Sequence, residues 1–466
     1  MKPSIPQGTR DFSPVEVRRR QYILDILRKI FECYGFQPLE TPAMEQLETL
    51  MGKYGEEGDR LIFKVLNNGL HEKKDAAMEK LQEAWTTMSA KPFSSPLVTE
   101  RALRYDLTIP FARYVVMHQQ DIAFPFRRYQ MQPVWRADRP QRGRYREFWQ
   151  CDCDVVGSNS LLNEAELLAI YRNAFDTLGI PQVSVKINSR KLLAALAIVC
   201  GAADQMMDIT IALDKLDKVG WEGVRAELIR KNIPESGIAI IKKLITIQGT
   251  NEEQLLELEQ QLGGSELGQQ GIAELRNTLS LHARLQDPAW QSDVRIDISL
   301  ARGLNYYTGI IMEVTTAAVN MGSIGGGGRY DDLTGLFGLK GISGVGISFG
   351  IDRIYLVMEE LGLFPAALSS GATVLILNSG PDGEDYEISI LQQLRNAGIK
   401  AELYPDSAKL DKQLKYANRR AIPYVIICGE QERSSKQLSL KNMESGAQQS
   451  LSLEECILHL LTTSES

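Results

Sequence analysis

Apolar positions along this chain fall into two periods, and the switches between them mark its elements. Ile23, Ile26, Leu27, Ile30 and Phe31 recur at helical spacing, which predicts a helix over 18–34 that Gly35 ends. "FQPLETPAM" then predicts a strand closing at Pro42, and "EEGDRLIFKV" a further strand. Residues 70–93 are charged and Ala-rich, the pattern of a helical or mobile surface insertion. "ERALRYDLTIPFARYVVMH" reads as a short strand breaking into a helix near Pro110. "FPFRRYQMQPVWRAD" and "REFWQCDCDVVG" are strands on either side of the loop "RPQRGRY", so they pair antiparallel.

Further on, "NEAELLAIYRNAFDTLGI" is an amphipathic helix and "VSVKIN" a strand. From about 203 to 290 helical patterns dominate, as in an inserted helical domain. Strands return with "VRIDISLARGLNYYTGIIMEVT". A Gly-rich turn follows, "GSIGGGGRYDDL", then the strand "SGVGISFG" and the helix "IDRIYLVMEELG". "FPAALSSGA" reads as a linker, beyond which strands and helices alternate over about ninety residues, the mark of a separate α/β domain. The expected divisions are 1–202, 203–292, 293–364 and 371–466.

Composition narrows the class. The chain has 466 residues, 44% hydrophobic and 24% charged, as a multidomain globular protein has. No apolar run approaches a membrane span, and "MKPSIPQGTRDFSPVEV" lacks a signal-peptide core, so the cytoplasm is the expected location. Six dispersed cysteines argue against a disulfide framework, and their spacing and the four scattered histidines against zinc. The cysteines are expected to be buried or half-buried, with no structural metal. A net charge of −7 argues against indiscriminate nucleic-acid binding but leaves room for an RNA that meets local basic surfaces.

Against that balance, five arginines between Arg136 and Arg146 stand out. Guanidinium forks match phosphate oxygens and keep their charge, which suits a polyphosphate or an RNA backbone; a solvated hairpin with surface ion pairs is the plainer alternative. Gln150, Asp152 and Asp154 alternate with Trp149, Cys151 and Cys153 and so share one strand face, either a wet face or the polar floor of a pocket. "ARGLNYYTG" joins Arg302 to Tyr306 and Tyr307. The four glycines of "GSIGGGGRYDDL" permit close backbone approach or a hinge, and lack the ending of a Walker loop. Arg353 at a helix start is unfavourable for the helix alone and points to an anionic or π-rich partner.

In combination these segments resemble the class II aminoacyl-tRNA synthetases, and within them the histidyl-tRNA synthetases, over nearly the whole chain. "PQGTRDFSP" is similar to the family's N-terminal signature. The helix and strand ending at Pro42 resemble its motif 1, "VWRADRPQRGRYREFWQ" its motif 2 and "GVGISFGIDRI" its motif 3. "LARGLNYYTG" and "GGRYDDL" resemble its histidine-specific segments. The resemblance implies an α+β catalytic domain with an antiparallel sheet flanked by helices, interrupted by a helical insertion, and a C-terminal α/β anticodon-binding domain. It implies a histidine–tRNA ligase reaction: activation of histidine by ATP, then transfer to the 3′ end of tRNA. ATP would arrive with Mg²⁺, and a homodimer is expected. By the same resemblance, Arg136, Arg302 and Arg353 would contact ATP and carry catalysis. Asp106, Thr108 and Gln150 would hold the histidine α-amino group. Asp154 and Tyr307 would take the two imidazole nitrogens, with Tyr306 and Tyr330 lining that pocket. Gln141, Arg142, Arg144 and Arg146 would meet the tRNA acceptor end. Lys409, Lys412, Lys415, Arg419 and Arg420 would face the anticodon stem.

The chain departs from the family pattern at Asn305, where many members carry aspartate. The competing reading is a catalytically silent paralogue that binds histidine or tRNA and regulates another process. Retention of Arg136, Arg302, Arg353 and the C-terminal domain favours the enzyme.

Overall fold

The computed structural model describes residues 2–72, 76–90, 95–285, 287–301, 306–369 and 371–464. It separates into two compact units, Met1–Arg10 with Tyr22–Leu363, and Asp11–Gln21 with Phe364–Ser466.

The larger unit is built on an eight-stranded sheet. Its strands are β1 (Gln37–Pro38), β2 (Phe126–Trp135), β3 (Glu147–Val156), β4 (Val183–Ser189), β5 (Asp293–Ile296), β6 (Ile310–Thr316), β7 (Gly325–Tyr330) and β8 (Gly344–Gly350). Their order is β1-β2-β3-β8-β7-β6-β4-β5. All neighbours are antiparallel except the two edge pairs, β1 with β2 and β4 with β5. The two faces differ because the strands alternate. Cys151, Cys153, Val345, Ile347 and Phe349 turn to the apolar side and are essentially fully buried. There Phe349 meets Tyr171, Phe175 and Phe31 at ring separations of 4.9, 5.5 and 5.8 Å. Tyr171 and Phe175 come from the helix Leu162–Thr177, and Phe31 from the helix Pro14–Cys33, whose Ile23, Leu27 and Phe31 are fully buried. Burying such side chains contributes about 1.5–3 kcal/mol each before entropy is counted.

The Gly-rich segment was expected as a turn; Gly325–Tyr330 is instead strand β7 in the middle of the sheet. The reason is steric. A Cβ on Gly327 would lie 2.2 Å from the Gly346 carbonyl oxygen and 2.7 Å from Ile347 Cα, so only a bare backbone fits between β6 and β8. "EEGDRLIFKV" also departs from expectation: Gly55–Arg60 is helical and only Lys64–Val65 is strand. Asp59 accepts a hydrogen bond from the Gly52 amide (2.8 Å), which closes the chain into a turn. Near Pro42 the expected strand shrinks to β1, and Met44–Gln46 pairs separately with Arg101–Leu103. Fully buried Arg104 donates to the carbonyls of Thr41 (2.6 Å) and Pro42 (3.2 Å), replacing sheet partners there. Cys33 is exposed, against expectation, because it ends its helix on the outer side; the other five cysteines are buried.

Five helices fill 206–285. The last, Glu266–Leu285, packs on the core: Gly271 abuts Leu192, and His282 lies 3.2 Å from the Ala165 carbonyl.

The smaller unit has five strands in the order Ala401–Leu403, Val374–Ile376, Tyr424–Ile427, Leu438–Asn442, Gln448–Leu451. The first three are parallel, as the alternation of strands and helices requires. The antiparallel hairpin 438–451 adds two strands that the apolar pattern did not mark.

Gly327→Ala is expected to cost about 1–3 kcal/mol by overpacking. Urea unfolding tests this, and a variant within about 0.5 kcal/mol of the parent would mean that β7 and β8 move apart freely.

Candidate active site

Three strands carry a polar grid on the face opposite the aromatic core. Across β2, β3 and β8, Arg128 faces Asp154 and Gly346, Gln130 faces Asp152 and Ser348, and Gln132 faces Gln150 and Gly350. Every β8 member of the grid is glycine or serine. The missing side chains leave a cavity of about 300 Å³ over the sheet, lined among others by Asp106, Thr108, Gln150, Asp152, Tyr306 and Tyr307. At its inner end a space of about 20 Å³ adjoins Asp152, Asp154, Tyr307 and Tyr330, enough for one water molecule.

Asp106 sits just ahead of the helix Thr108–Met117. Its Oδ1 accepts from the Ile109 amide (3.1 Å) and the Tyr54 hydroxyl (2.9 Å). Burial raises its pKa, and the Arg136 charge opposes that rise. Arg136, just past β2, donates from Nε to the Tyr105 carbonyl (3.0 Å), and its guanidinium lies 4.3 Å from the Tyr105 ring centre and 5.2 Å from that of Phe148. The arginine is thereby held at the cavity by one backbone bond and two aromatic rings.

Asp154 Oδ1 accepts from the Tyr330 hydroxyl (2.5 Å). Its Oδ2 lies 2.9 Å from Arg128 Nη2, an ion pair off the line of a hydrogen bond. Arg128 is fully buried, with its guanidinium 4.2 Å from the Phe111 ring centre. Asp152 stands between Gln150 and Asp154 and is 2% exposed. Burial pushes its carboxyl up to about 7; Arg128 draws it down, and the Asp154 charge adds to the rise. Gln150 donates to Ser348 Oγ (3.3 Å). Asp106 Oδ2, Gln150 Oε1 and Asp152 Oδ1 are buried without a hydrogen-bond partner among the described residues. Orphaned acceptors are costly, so this end of the cavity suits a ligand rich in N–H donors.

Arginines gather at the other end. Arg353, third in the helix Ile351–Glu360, donates to the carbonyls of Gly143 (3.0 Å) and Ser323 (2.6 Å). Gly143 has φ +70°, and a Cβ there would press on Arg353 Cγ at 3.3 Å. Arg10 pairs with Asp352 Oδ1 and stacks 3.4 Å from the Tyr145 ring centre, while Asp352 Oδ2 accepts from the Trp149 amide (3.1 Å). The loop between β2 and β3 is therefore pinned from two sides.

Of the residues expected on sequence grounds, Arg136, Arg353, Asp106, Thr108, Gln150, Tyr306, Tyr307 and Arg144 line the cavity. Asp154 and Tyr330 border only the inner space. Arg302 and Asn305 lie outside the described residues. In the loop, Gln141 is exposed, Arg142 pairs with Glu360 and Arg144 with Asp138 (3.5 Å). Arg146 donates to the carbonyls of Asp138 (3.2 Å) and Gln7 (3.4 Å). In the smaller unit Lys409, Lys412 and Arg419 are exposed, whereas Lys415 pairs with Asp411 and Arg420 with Glu402. Sequence reasoning left Arg10, Tyr54, Arg128, Asp138 and Asp352 without roles. Alternation along β2 places Arg128 on the polar face and was a usable signal; nothing local joins Arg10 to Asp352.

An antiparallel sheet bearing an acceptor-rich pocket beside arginines, followed by a separate α/β unit, is the arrangement of a class II aminoacyl-tRNA ligase. The comparisons agree. The family described as histidyl-tRNA synthetase matches residues 99–354, and an anticodon-binding domain matches 372–462. The chain is 54% identical to the histidine–tRNA ligase of Christiangramia forsetii, covering 97% of each chain, and 51% identical to that of Bacteroides fragilis, covering 98% of each. The crystal structure of the histidyl-tRNA synthetase from Nostoc sp. PCC 7120 superimposes with a TM-score of 0.84 at 30% identity, over 99% of this chain and all of that one. The chain belongs to the histidyl-tRNA synthetase family.

The raised Asp152 carboxyl has a consequence for stability. The unfolded chain ionises an aspartate at about 3.9, the folded chain ionises this one at about 7. Between those values the folded state holds a proton that the unfolded state has released, so stability falls as pH rises through the window. Asp152→Asn removes this contribution. Between pH 5 and 8 the parent should lose stability relative to the variant; parallel denaturation curves across that range would contradict the assignment.

Proposed function

We propose a division of labour among the cavity residues for the histidine–tRNA ligase reaction. The chain activates histidine with ATP and transfers it to tRNA, as its family does. The observation that carries the assignment is the polarity of the cavity: unpartnered acceptors at one end, arginines at the other.

At the acceptor end, Asp106, Thr108 and Gln150 take the α-ammonium group. The imidazole goes to the corner of Asp154 and Tyr307, flanked by Tyr306 and Tyr330. This directs the substrate carboxylate toward Arg136. A carboxylate oxygen attacks the α-phosphorus of ATP, the bond to the bridging oxygen breaks, and pyrophosphate leaves with that electron pair. Arg136, Arg353 and Arg302 offset the charge that builds on the phosphate oxygens. In the second step the 3′-terminal ribose hydroxyl attacks the histidyl carbonyl carbon, its proton passes to a phosphate oxygen of the leaving group, and AMP departs. Neither step needs a strong base; both depend on placement and on fixed positive charge. Mg²⁺ enters with the ATP phosphates. It would be held mostly through phosphate oxygens and water, Asp138 and Asp352 at the mouth being paired with Arg144 and Arg10.

A site that hydrogen-bonds both ring nitrogens leaves buried groups unpaired with any other amino acid. Such sites discriminate by roughly four to five orders of magnitude without editing. Gln141, Arg142, Arg144 and Arg146 meet the acceptor end of tRNA. Lys409, Lys412, Lys415, Arg419 and Arg420 meet the anticodon stem. The catalytic core comprises 1–202 and 293–364, the helical insertion 203–292 and the anticodon-binding domain 371–466. The enzyme acts in the cytoplasm as a homodimer. No described helix is long and apolar enough to cross a membrane.

ATP–pyrophosphate exchange with each of the twenty amino acids is the test. Exchange should occur with histidine alone. Arg136→Ala should lower it by about 10²–10³-fold, the usual effect of losing a donor aimed at developing charge, and Arg302→Ala should abolish it. Histidine binding without exchange would move the chain to the silent regulatory reading.

A further inference from the structure

We infer that Arg10 is a positioning residue for the arginine end of the cavity: with residues 7–9 it braces the hairpin between β2 and β3 and so sets where that hairpin meets ATP. The inference deepens the histidine–tRNA ligase reading, and its effect on ATP rests on that reading.

The N-terminal segment runs beside the hairpin. The Gly8 carbonyl accepts from the Arg146 amide (2.8 Å), and the Arg146 carbonyl in turn accepts from the Arg136 amide (2.9 Å). Backbone bonds thus lead from the segment, through the second limb of the hairpin, to the arginine at the cavity. The contact is close. Gly8 has φ +84°, and a Cβ on it would lie 2.8 Å from Arg146 Cγ and 3.0 Å from Pro140 Cγ. Thr9 closes a turn by donating to the Pro6 carbonyl from its amide (3.2 Å) and its hydroxyl (2.7 Å).

Arg10 comes next, and it joins two parts of the cavity wall. Its guanidinium lies 3.4 Å from the Tyr145 ring centre and pairs with Asp352 Oδ1. Tyr145 belongs to the hairpin and Asp352 to the helix Ile351–Glu360, and both line the cavity. Asp352 Oδ2 accepts from the Trp149 amide (3.1 Å), so the same carboxylate also reaches the start of β3. An exposed ion pair would hold little in place. Here the Asp352 side chain is only 5% exposed and that of Arg10 27%. A planar guanidinium that stacks and pairs at once fixes both partners in direction as well as distance. Loss of Arg10 releases Tyr145 and leaves the Asp352 charge less balanced, beside the place where phosphates arrive. Asp106 and Thr108, at the acceptor end, are carried by another part of the chain, so histidine binding does not share the defect.

The test uses the full chain, with Arg10→Ala and Arg10→Lys, in two assays. In ATP–pyrophosphate exchange, Arg10→Ala should lower kcat/KM for ATP about ten- to a hundredfold, the cost of a misplacement of about 1 Å, with KM for histidine within about threefold of the parent. Lysine keeps the charge but not the flat face, so Arg10→Lys should fall between the two. The second assay needs no activity: trypsin digestion of the folded protein, with the peptide bonds after Arg142 and Arg144 followed by mass spectrometry. Cleavage there should be at least about fivefold faster in Arg10→Ala, because local opening is less costly. Parental ATP kinetics in Arg10→Ala, with only a lower melting temperature, would overturn the inference. So would a histidine KM that rises as far as that for ATP, or hairpin cleavage at the parental rate. If Arg10→Ala does not fold, Arg10→Lys carries both readouts at smaller size. No exchange by the parent with any amino acid defeats the ligase reading, and hairpin cleavage then decides the brace by itself.

Discussion

Strand β3 meets β8 with Asp154 opposite Gly346, Asp152 opposite Ser348 and Gln150 opposite Gly350, and the site depends on that register. A strand alternates faces at every residue, so a slip of one would turn Cys151 and Cys153 into the cavity and the carboxylates into the aromatic core. Phe349 holds the register from behind through Phe31, Tyr171 and Phe175. From in front, a Cβ on Gly346 would lie 1.9 Å from Asp154 Oδ1, so the glycine and the carboxylate are placed for each other. The same bare positions that let strands approach also leave the cavity above them.

The polar face is held under electrostatic tension. Asp106, Asp152 and Asp154 lie within one buried region, with Arg128 as the deep positive charge and Arg136 nearer the mouth. Burying several charges costs more than their mutual attraction returns, unless hydrogen bonds satisfy the remaining lone pairs. Here part of that satisfaction is left open toward the cavity. A cationic, donor-rich ligand would complete such a network.

The arginine-rich hairpin divides into groups with different physical duties. Arg136 is fixed toward the cavity by a carbonyl and two rings. Arg146 braces the loop to the N-terminal segment, whose Gly8 carbonyl accepts from the Arg146 amide (2.8 Å). Arg10 and Arg353, from distant parts of the chain, pin the hairpin at Tyr145 and Gly143. A loop stiffened at both flanks presents its exposed tip in a defined place.

Most elements were legible from periodicity: the helix around Ile23–Phe31, the β2–β3 pair, the helices from 203 onward and the alternating C-terminal strands all follow from spacing that one face must bury. The shared face of Gln150, Asp152 and Asp154 was equally legible, because alternation is a property of a single strand. Other features were not, since they depend on neighbours remote in sequence. Four glycines in a row specify no turn by themselves; they form β7 because β6 and β8 leave no room for side chains. The carboxylates look alike in sequence, and only packing sets Tyr330 and Arg128 against Asp154 and Ser348 against Asp152. The bond from Arg10 to Asp352 spans 342 positions, and no local pattern encodes it. Local spacing determined which side chains share a face; three-dimensional packing decided which of them bond within the protein and which line the cavity.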